Sequence, residues 1–366
     1  MRNTPHTAVR AVIACAAATV ALASNASAAP SIGYINSTFN VPHYANDMAS
    51  GTDWSVIASA NGGAALDTDH LFGFDYNAGG AWSVFSGANS IPAGRIPAAP
   101  SGTDSRGLIM RAQDVDDPGT DLTQGIAARL NAAVSPTTPY AVRFDMWINY
   151  VSGSGSSEFA FYGLGANSTQ TSIGTLTSGV TGTGAPLPGN PGSTATAGVG
   201  PMTSGRTFTL TGDGGFARDI RAYSGTAEDI FDTNYVAKYG TDVNGNMTTV
   251  PMDNGHPYYG ANSVFPAGPS PTVSGIPGNR WVDVVLYYDG TELTYYLNGV
   301  PVYSLPSTSL SIGQAFLGYM DINSSVSLPA IQTFVVYDNF RILVPEPATL
   351  GLVAAGAVIA LRRRAK

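Results

Sequence analysis

Residues 140–150 constrain the fold more than any other stretch. Tyr140, Val142, Phe144, Met146, Ile148 and Tyr150 fall on one side of an extended chain, and Ala141, Arg143, Asp145, Trp147 and Asn149 on the other. Strict period-two alternation over this length predicts a strand with one face in a core. A lone strand is not stable, so the chain must supply partners. Residues 158–165 read as the next antiparallel strand. The regular final third adds a ladder: a strand over 281–288, an Asp289-Gly290 turn, a strand over 293–297, then Asn298-Gly299 and a strand over 300–304. Asn-Gly favours a type I′ hairpin because both turn residues take positive φ. Further short strands are predicted at 32–41, closed by a Pro42-His43 turn, and at 54–57, 71–76, 108–112, 208–210, 216–223, 314–319 and 331–343. Only 122–131 has a pattern that suits a helix. No internal repeat is visible. The expected fold class is all-β and antiparallel, with a body large enough for one big β-sandwich or two small domains.

Composition agrees and narrows the partners. Gly (43) and Pro (24) are abundant and charged residues few (11%), the profile of short strands joined by many turns. Between residues 29 and 343 there are eleven cations, ten of them Arg with Lys238, against twenty-four acids, a net of −13. So acidic a body argues against nucleic acid and anionic lipid as partners. Residues 167–201 are mostly Gly, Thr, Ser and Pro, which reads as a long surface loop or insertion.

The two ends of the chain read as addresses. Arg2 and Arg10 precede and flank a small-residue apolar run over 11–23, and Ala26-Ser27-Ala28 forms an A-x-A site, so residues 1–28 are expected to be a signal peptide. The only cysteine, Cys15, lies inside it, so the exported body, residues 29–343, would have neither a disulfide nor a thiolate metal site. Residues 344–366 contain Pro345-Glu346-Pro347, an apolar run over 348–361, and Arg362-Arg363-Arg364-Ala365-Lys366. A fourteen-residue helix reaches roughly 21 Å, short of a hydrocarbon core of about 30 Å. The run therefore reads as a short transmembrane helix, with its cations cytoplasmic and the body outside.

This three-part tail resembles the PEP-CTERM sorting signal of Gram-negative bacteria. The resemblance implies an exosortase-type sorting enzyme as partner. It also implies a transiently inner-membrane-anchored precursor facing the periplasm, and delivery to the cell surface or extracellular matrix. The body has its own resemblance. Residues 281–290, led by Trp281, the Tyr295-Tyr296-Leu297-Asn298-Gly299 hairpin, and the closing Tyr337-Asp338-Asn339-Phe340-Arg341-Ile342 look like the concanavalin A-like lectin/glucanase superfamily, laminin G-like domains included, and the resemblance implies an antiparallel two-sheet jelly-roll sandwich.

Chemistry is harder to find. Glucanases of that resemblance carry a Glu-x-Asp-x-x-Glu strand, and this chain has none. The body has only Glu158, Glu228 and Glu292, so no residue is assigned as catalytic. His43, His70 and His256 are scattered and read as surface or turn residues. There is no Gly-x-Ser-x-Gly elbow and no phosphate-cradling loop. Calcium is the one cofactor with any spacing in its favour, and none is required. Asp242, Asn244, Asn246 and Asp253 form an oxygen-rich stretch, as do Asp114, Asp116 and Asp117. Trp82, Trp147, Tyr258 and Tyr259 are the aromatic candidates for a glycan shelf. Trp147, on the polar side of its strand, must either cover the outer sheet or pack under a loop. The expectation is an exported, non-enzymatic sandwich that contacts exopolysaccharide. A divergent glycoside hydrolase or lyase and a purely structural coat component are the alternatives.

Overall fold

The structure is a computed structural model. It describes residues 41–60, 68–77, 96–102, 104–112, 124–131, 139–149, 158–173, 201–212, 220–228, 277–306, 314–321 and 333–345. Among them are fifteen strands and no helix. All pairs are antiparallel and they build two sheets. The first runs β13 (Val300–Pro306), β12 (Glu292–Leu297), β11 (Trp281–Tyr288), β6 (Tyr140–Asn149), β15 (Phe334–Val344), β4 (Arg106–Ala112), β3 (Thr68–Asp75), with β1 (Val41–Asn46) also paired to β15. The second runs β10 (Ala227–Glu228), β9 (Ile220–Ser224), β8 (Arg206–Thr211), β7 (Glu158–Ala166), β14 (Gln314–Asp321), β5 (Gln124–Leu130), β2 (Trp54–Ala60).

The main core lies between the sheets, where the alternation in β6 places it. Tyr140, Val142, Phe144, Met146 and Ile148 all point into it, as do Val282, Val284 and Leu286 of β11. From the second sheet come Tyr162, Phe208, Leu317 and Tyr319. Phe144 meets Tyr162 edge-on at 5.2 Å between centroids, and Phe208 stacks on Tyr295 at 4.7 Å. Buried tyrosines need partners for their hydroxyls. Tyr162 and Tyr295 hydrogen-bond to each other across the core, and the Tyr337 hydroxyl donates to the Gly318 carbonyl at 2.7 Å. The Asn298-Gly299 turn has φ of 46° and 82°, as a type I′ hairpin demands.

Four expectations need correction. β7 does not pair with β6. It lies in the other sheet, between β14 and β8, and the two strands meet face to face through their side chains. Residues 124–130 form a strand, not a helix. Gly125, Ala127 and Ala128 are small enough to be enclosed between β14 and β2, so tertiary burial overrides helix propensity. Pro42 and His43 lie inside β1, where Pro42 sits at a register shift on a strand that is an edge among the described residues, a position that spares it a ladder bond. Finally, the second side of β6 is not solvated: Ala141, Asp145, Trp147 and Asn149 are as buried as the core side.

Candidate functional site

That second side of β6 holds the densest polar chemistry among the described residues. Cross-strand register aligns Asp283 of β11 with Asp145, and Asp145 with Asp338 of β15. Three aspartates thus form one row across three adjacent strands, on the outer face of the first sheet. One step along, Arg143 is aligned with Arg341. Simple alternation would put Asp338 and Arg341 on opposite faces. A β-bulge at Asn339, whose φ is 53°, inserts the extra residue that puts both outside. Asn tolerates this left-handed backbone better than most residues.

The residues of the row are held differently. Asp283 receives a two-pronged ion pair from Arg143, Nε to Oδ1 at 2.7 Å and a terminal nitrogen to Oδ2 at 3.0 Å. Both side chains keep about a fifth of their surface exposed. Asp145 and Asp338 are fully buried. Asp145 Oδ2 accepts from the Ser101 amide (3.2 Å), the Ser101 hydroxyl (2.5 Å) and Asn339 Nδ2 (2.9 Å), while its Oδ1 has no partner. Asp338 Oδ2 accepts from the Tyr76 hydroxyl at 2.6 Å. Burial raises the Asp145 carboxyl above its ordinary range. Burial pushes Asp338 up to about 7, against the opposing hydrogen bond from Tyr76. Two carboxylates aligned at cross-strand distance also resist ionising together.

These bonds fasten a lid. Ile96 and Ala99 are buried on the sheet with Phe74, Tyr76, Ile109, Trp147, Phe334 and Val336. Gly102 lies so close to Asn339 that a Cβ there would be 2.6 Å from its amide nitrogen. Trp281 forms the rim. It is partly buried, meets Tyr76 and Trp147 edge-on at 5.2 and 5.9 Å, and its indole N–H donates to the Pro97 carbonyl at 2.6 Å.

Trp147 is therefore no exposed glycan shelf. It is 2% exposed, packed under the lid and beside Trp281. The reason is the lid itself, which covers the polar side of β6. Trp82, Tyr258, Tyr259, Asp242, Asn244, Asn246, Asp253, Asp114, Asp116 and Asp117 lie outside the described residues, as do Glu346, Pro347, the apolar run and Arg362, Arg363 and Arg364. Pro345 is described and buried. His43 and His70 are exposed, and His256 lies outside the described residues. Among the described residues no group of three or more His, Cys, Asp or Glu could hold a metal ion, and no helix is long and apolar enough to cross a membrane. Sequence reasoning missed the aspartate row, because its members are far apart in the chain and one depends on the bulge. Asn339, a residue type that tolerates positive φ, is the local trace of that bulge in the sequence.

Chemically, the buried pair can hold a proton and pin the lid. Both of its carboxyls are shut off from solvent. The partly exposed rim of Trp281, Asp283, Arg143 and Asn298 offers an indole edge beside charged and amide groups.

Comparison with known proteins bears on the tail most firmly. Residues 343–364 match the PEP-CTERM protein-sorting motif. The motif marks an exported precursor with an exosortase-type enzyme as its processing partner. No curated protein matches the chain. Three solved structures illustrate its likenesses. A Bacillus subtilis protein with a galectin-like fold aligns over 84% of this chain and 97% of its own, at 10% identity and a TM-score of 0.34. The carbohydrate recognition domain of Emp46p aligns over 61% and 82%, at 10% identity and a TM-score of 0.30. An endo-β-1,3-glucanase from Pyrococcus furiosus aligns over 65% and 75%, at 10% identity and a TM-score of 0.32. Likenesses this loose carry no argument about ligand or reaction. The antiparallel two-sheet sandwich stands on the chain's own strand pairing.

Proposed function

We propose that this chain is an exported, non-enzymatic β-sandwich protein, delivered to the cell surface or extracellular matrix, where it contacts polysaccharide. The observation that carries this reading is the sorting motif at residues 343–364, which takes over directly from the last strand of the sandwich. The precursor is held transiently at the inner membrane and faces the periplasm. Residues 1–28 act as its export signal. The rim of Trp281, Asp283, Arg143 and Asn298 supplies the stacking and hydrogen-bonding groups that a neutral or basic glycan takes, and the acidic body disfavours nucleic acid.

The sealed state of Asp145 and Asp338 favours the non-enzymatic reading. A glycosidase needs its two carboxyls on either side of an accessible bond, and both of these are fully buried. The test is binding of the purified body to the producer's own exopolysaccharide and to a glycan array, with and without Ca²⁺. Binding weakened by Trp281→Ala and Asp283→Asn supports the reading. Absence of binding under every condition leaves a structural coat role. Release of reducing ends from a polysaccharide would contradict the non-enzymatic assignment.

A further inference from the structure

The sorting motif and the sandwich share residues. The match begins at 343, and β15 does not end until Val344. Leu343 is paired on one side with Ala141 of β6 and on the other with Pro42 of β1. Val344 is paired with Val41, and Pro345 is buried. No linker separates the folded body from the motif. A processing enzyme that reads an extended substrate backbone finds the first residues of the motif already committed to a sheet.

The two flanking strands differ in how many partners hold them among the described residues. β6 lies between β11 and β15 and spans nearly the whole of β15. β1 has six residues and, among the described residues, pairs with β15 alone. Its ladder is interrupted between Pro42 and Tyr44. Pro42 has no N–H to donate, and Pro42, His43 and Ala45 are exposed. Tyr44 fastens the middle of β1, with a ring that meets Phe340 at 6.1 Å and a hydroxyl that donates to Asp53 at 3.0 Å. The end of β1 is tied by Asn46, which bonds to Tyr44 and to the Met48 amide, and by the buried Met48, whose carbonyl accepts from the Gly73 amide at 2.9 Å. Elements with few buried contacts open first and independently of the rest.

The structure assigns to β1 the role of a strap over the start of the sorting motif: the processing enzyme reaches Leu343-Val344-Pro345 only when β1 has lifted from β15. This rests on the sorting reading above. Lifting frees the N–H and C=O groups of residues 340–344 along one edge, and an extended segment of the enzyme takes β1's place by strand addition. β6 stays in place, so the sandwich remains folded while its tail is handled.

The test locks the strap. Ala45 and Arg341 are Cα partners outside the matched motif, and partners in an antiparallel pair lie within disulfide reach. The full-length Ala45→Cys/Arg341→Cys double variant is exported in a Gram-negative host that carries an exosortase-type enzyme. Tail removal is followed by mass, with and without added reductant. Cys15 is the only native cysteine, so each single variant serves as its control, and protease resistance reports folding. The expected result is loss of processing in the oxidised form and its recovery on reduction. A Gly-Ser linker inserted between Val344 and Pro345 restores processing in the oxidised form. Tyr44→Ala, which loosens the strap without a crosslink, raises the processing rate up to roughly ten-fold, because the opened population rises. Processing of the oxidised form at the wild-type rate overturns the strap and leaves the sorting reading standing. Failure of the wild-type chain to be processed overturns both.

Discussion

The outer faces of the two sheets are both buried, and by opposite chemistry. On the second sheet, Ile57, Ala127, Phe159, Phe161, Phe316 and Met320 form an apolar layer that Ile173 and Met202 join. Phe161 lies directly over Gly318, where any Cβ would come within 2.1 Å of the ring. Its polar fastening does not titrate near neutrality. Arg129 donates to the carbonyls of Asn167 and Gln170 at 2.6 and 2.7 Å. The Gln170 amide exchanges bonds with Ser172 and Thr203. On the first sheet the cover is pinned to two buried carboxyls instead. One cover is held by apolar area and fixed dipoles, the other by groups that can gain or lose a proton. The second cover should be stiff at any pH, and the first should answer to pH.

The largest effect that would break this contrast is on the apolar side. Phe161→Ala should cost about 3–5 kcal/mol of stability, equally at pH 5 and pH 8, in denaturant unfolding at the two values. A pH-dependent cost there would remove the distinction. Next, Asp145→Ala strands the donors of Ser101 and Asn339 and should cost about 1–3 kcal/mol. Hydrogen exchange should locate the loosening in residues 96–102 and not in residues 167–173.

The pH response sharpens the same point. Burial holds Asp338 at about 7, so the folded chain binds its proton more tightly than the unfolded chain does. The stability this contributes is fully present below about pH 4, the unfolded value, and is lost as pH rises towards 7. Thermal melts should therefore fall across that window and level off above it. Asp338→Asn should flatten the profile, and an unchanged slope would show that another group carries it. The smallest expected effect is at the rim. Arg143→Met breaks an ion pair whose members are both partly exposed, and should cost no more than about 1 kcal/mol.

Much of the fold was legible in residue pattern. Alternation in residues 140–150 placed five side chains in the core, and Asn298-Gly299 located a hairpin with its φ angles. Strand assignment failed where a local signal met a larger constraint. The alanines at 127–128 read as helical until neighbouring strands enclosed them. Pro42 read as a turn because a proline can join a sheet only at an edge or a bulge, and neither is visible in sequence. Partner choice was illegible too: β6 and β7 follow one another, yet they belong to different sheets. The candidate site was hardly legible at all. Asp145, Asp283 and Asp338 meet only through register, and Asp338 faces outward only through the bulge at Asn339. The tail was the reverse case. Pro345-Glu346-Pro347, the apolar run and the arginines carry their meaning in order alone, which needs no tertiary structure.

In the proposal above, the sandwich is handed to a sorting enzyme at the end of its last strand. The most direct test is the intact mass of the chain recovered from the surface or matrix fraction, beside that from the inner membrane. The surface form is expected to lack both residues 1–28 and the apolar run with its arginines, with the longer precursor confined to the inner membrane. A surface form that keeps Arg362, Arg363 and Arg364, or a chain found only in the inner membrane at full tail length, would contradict it.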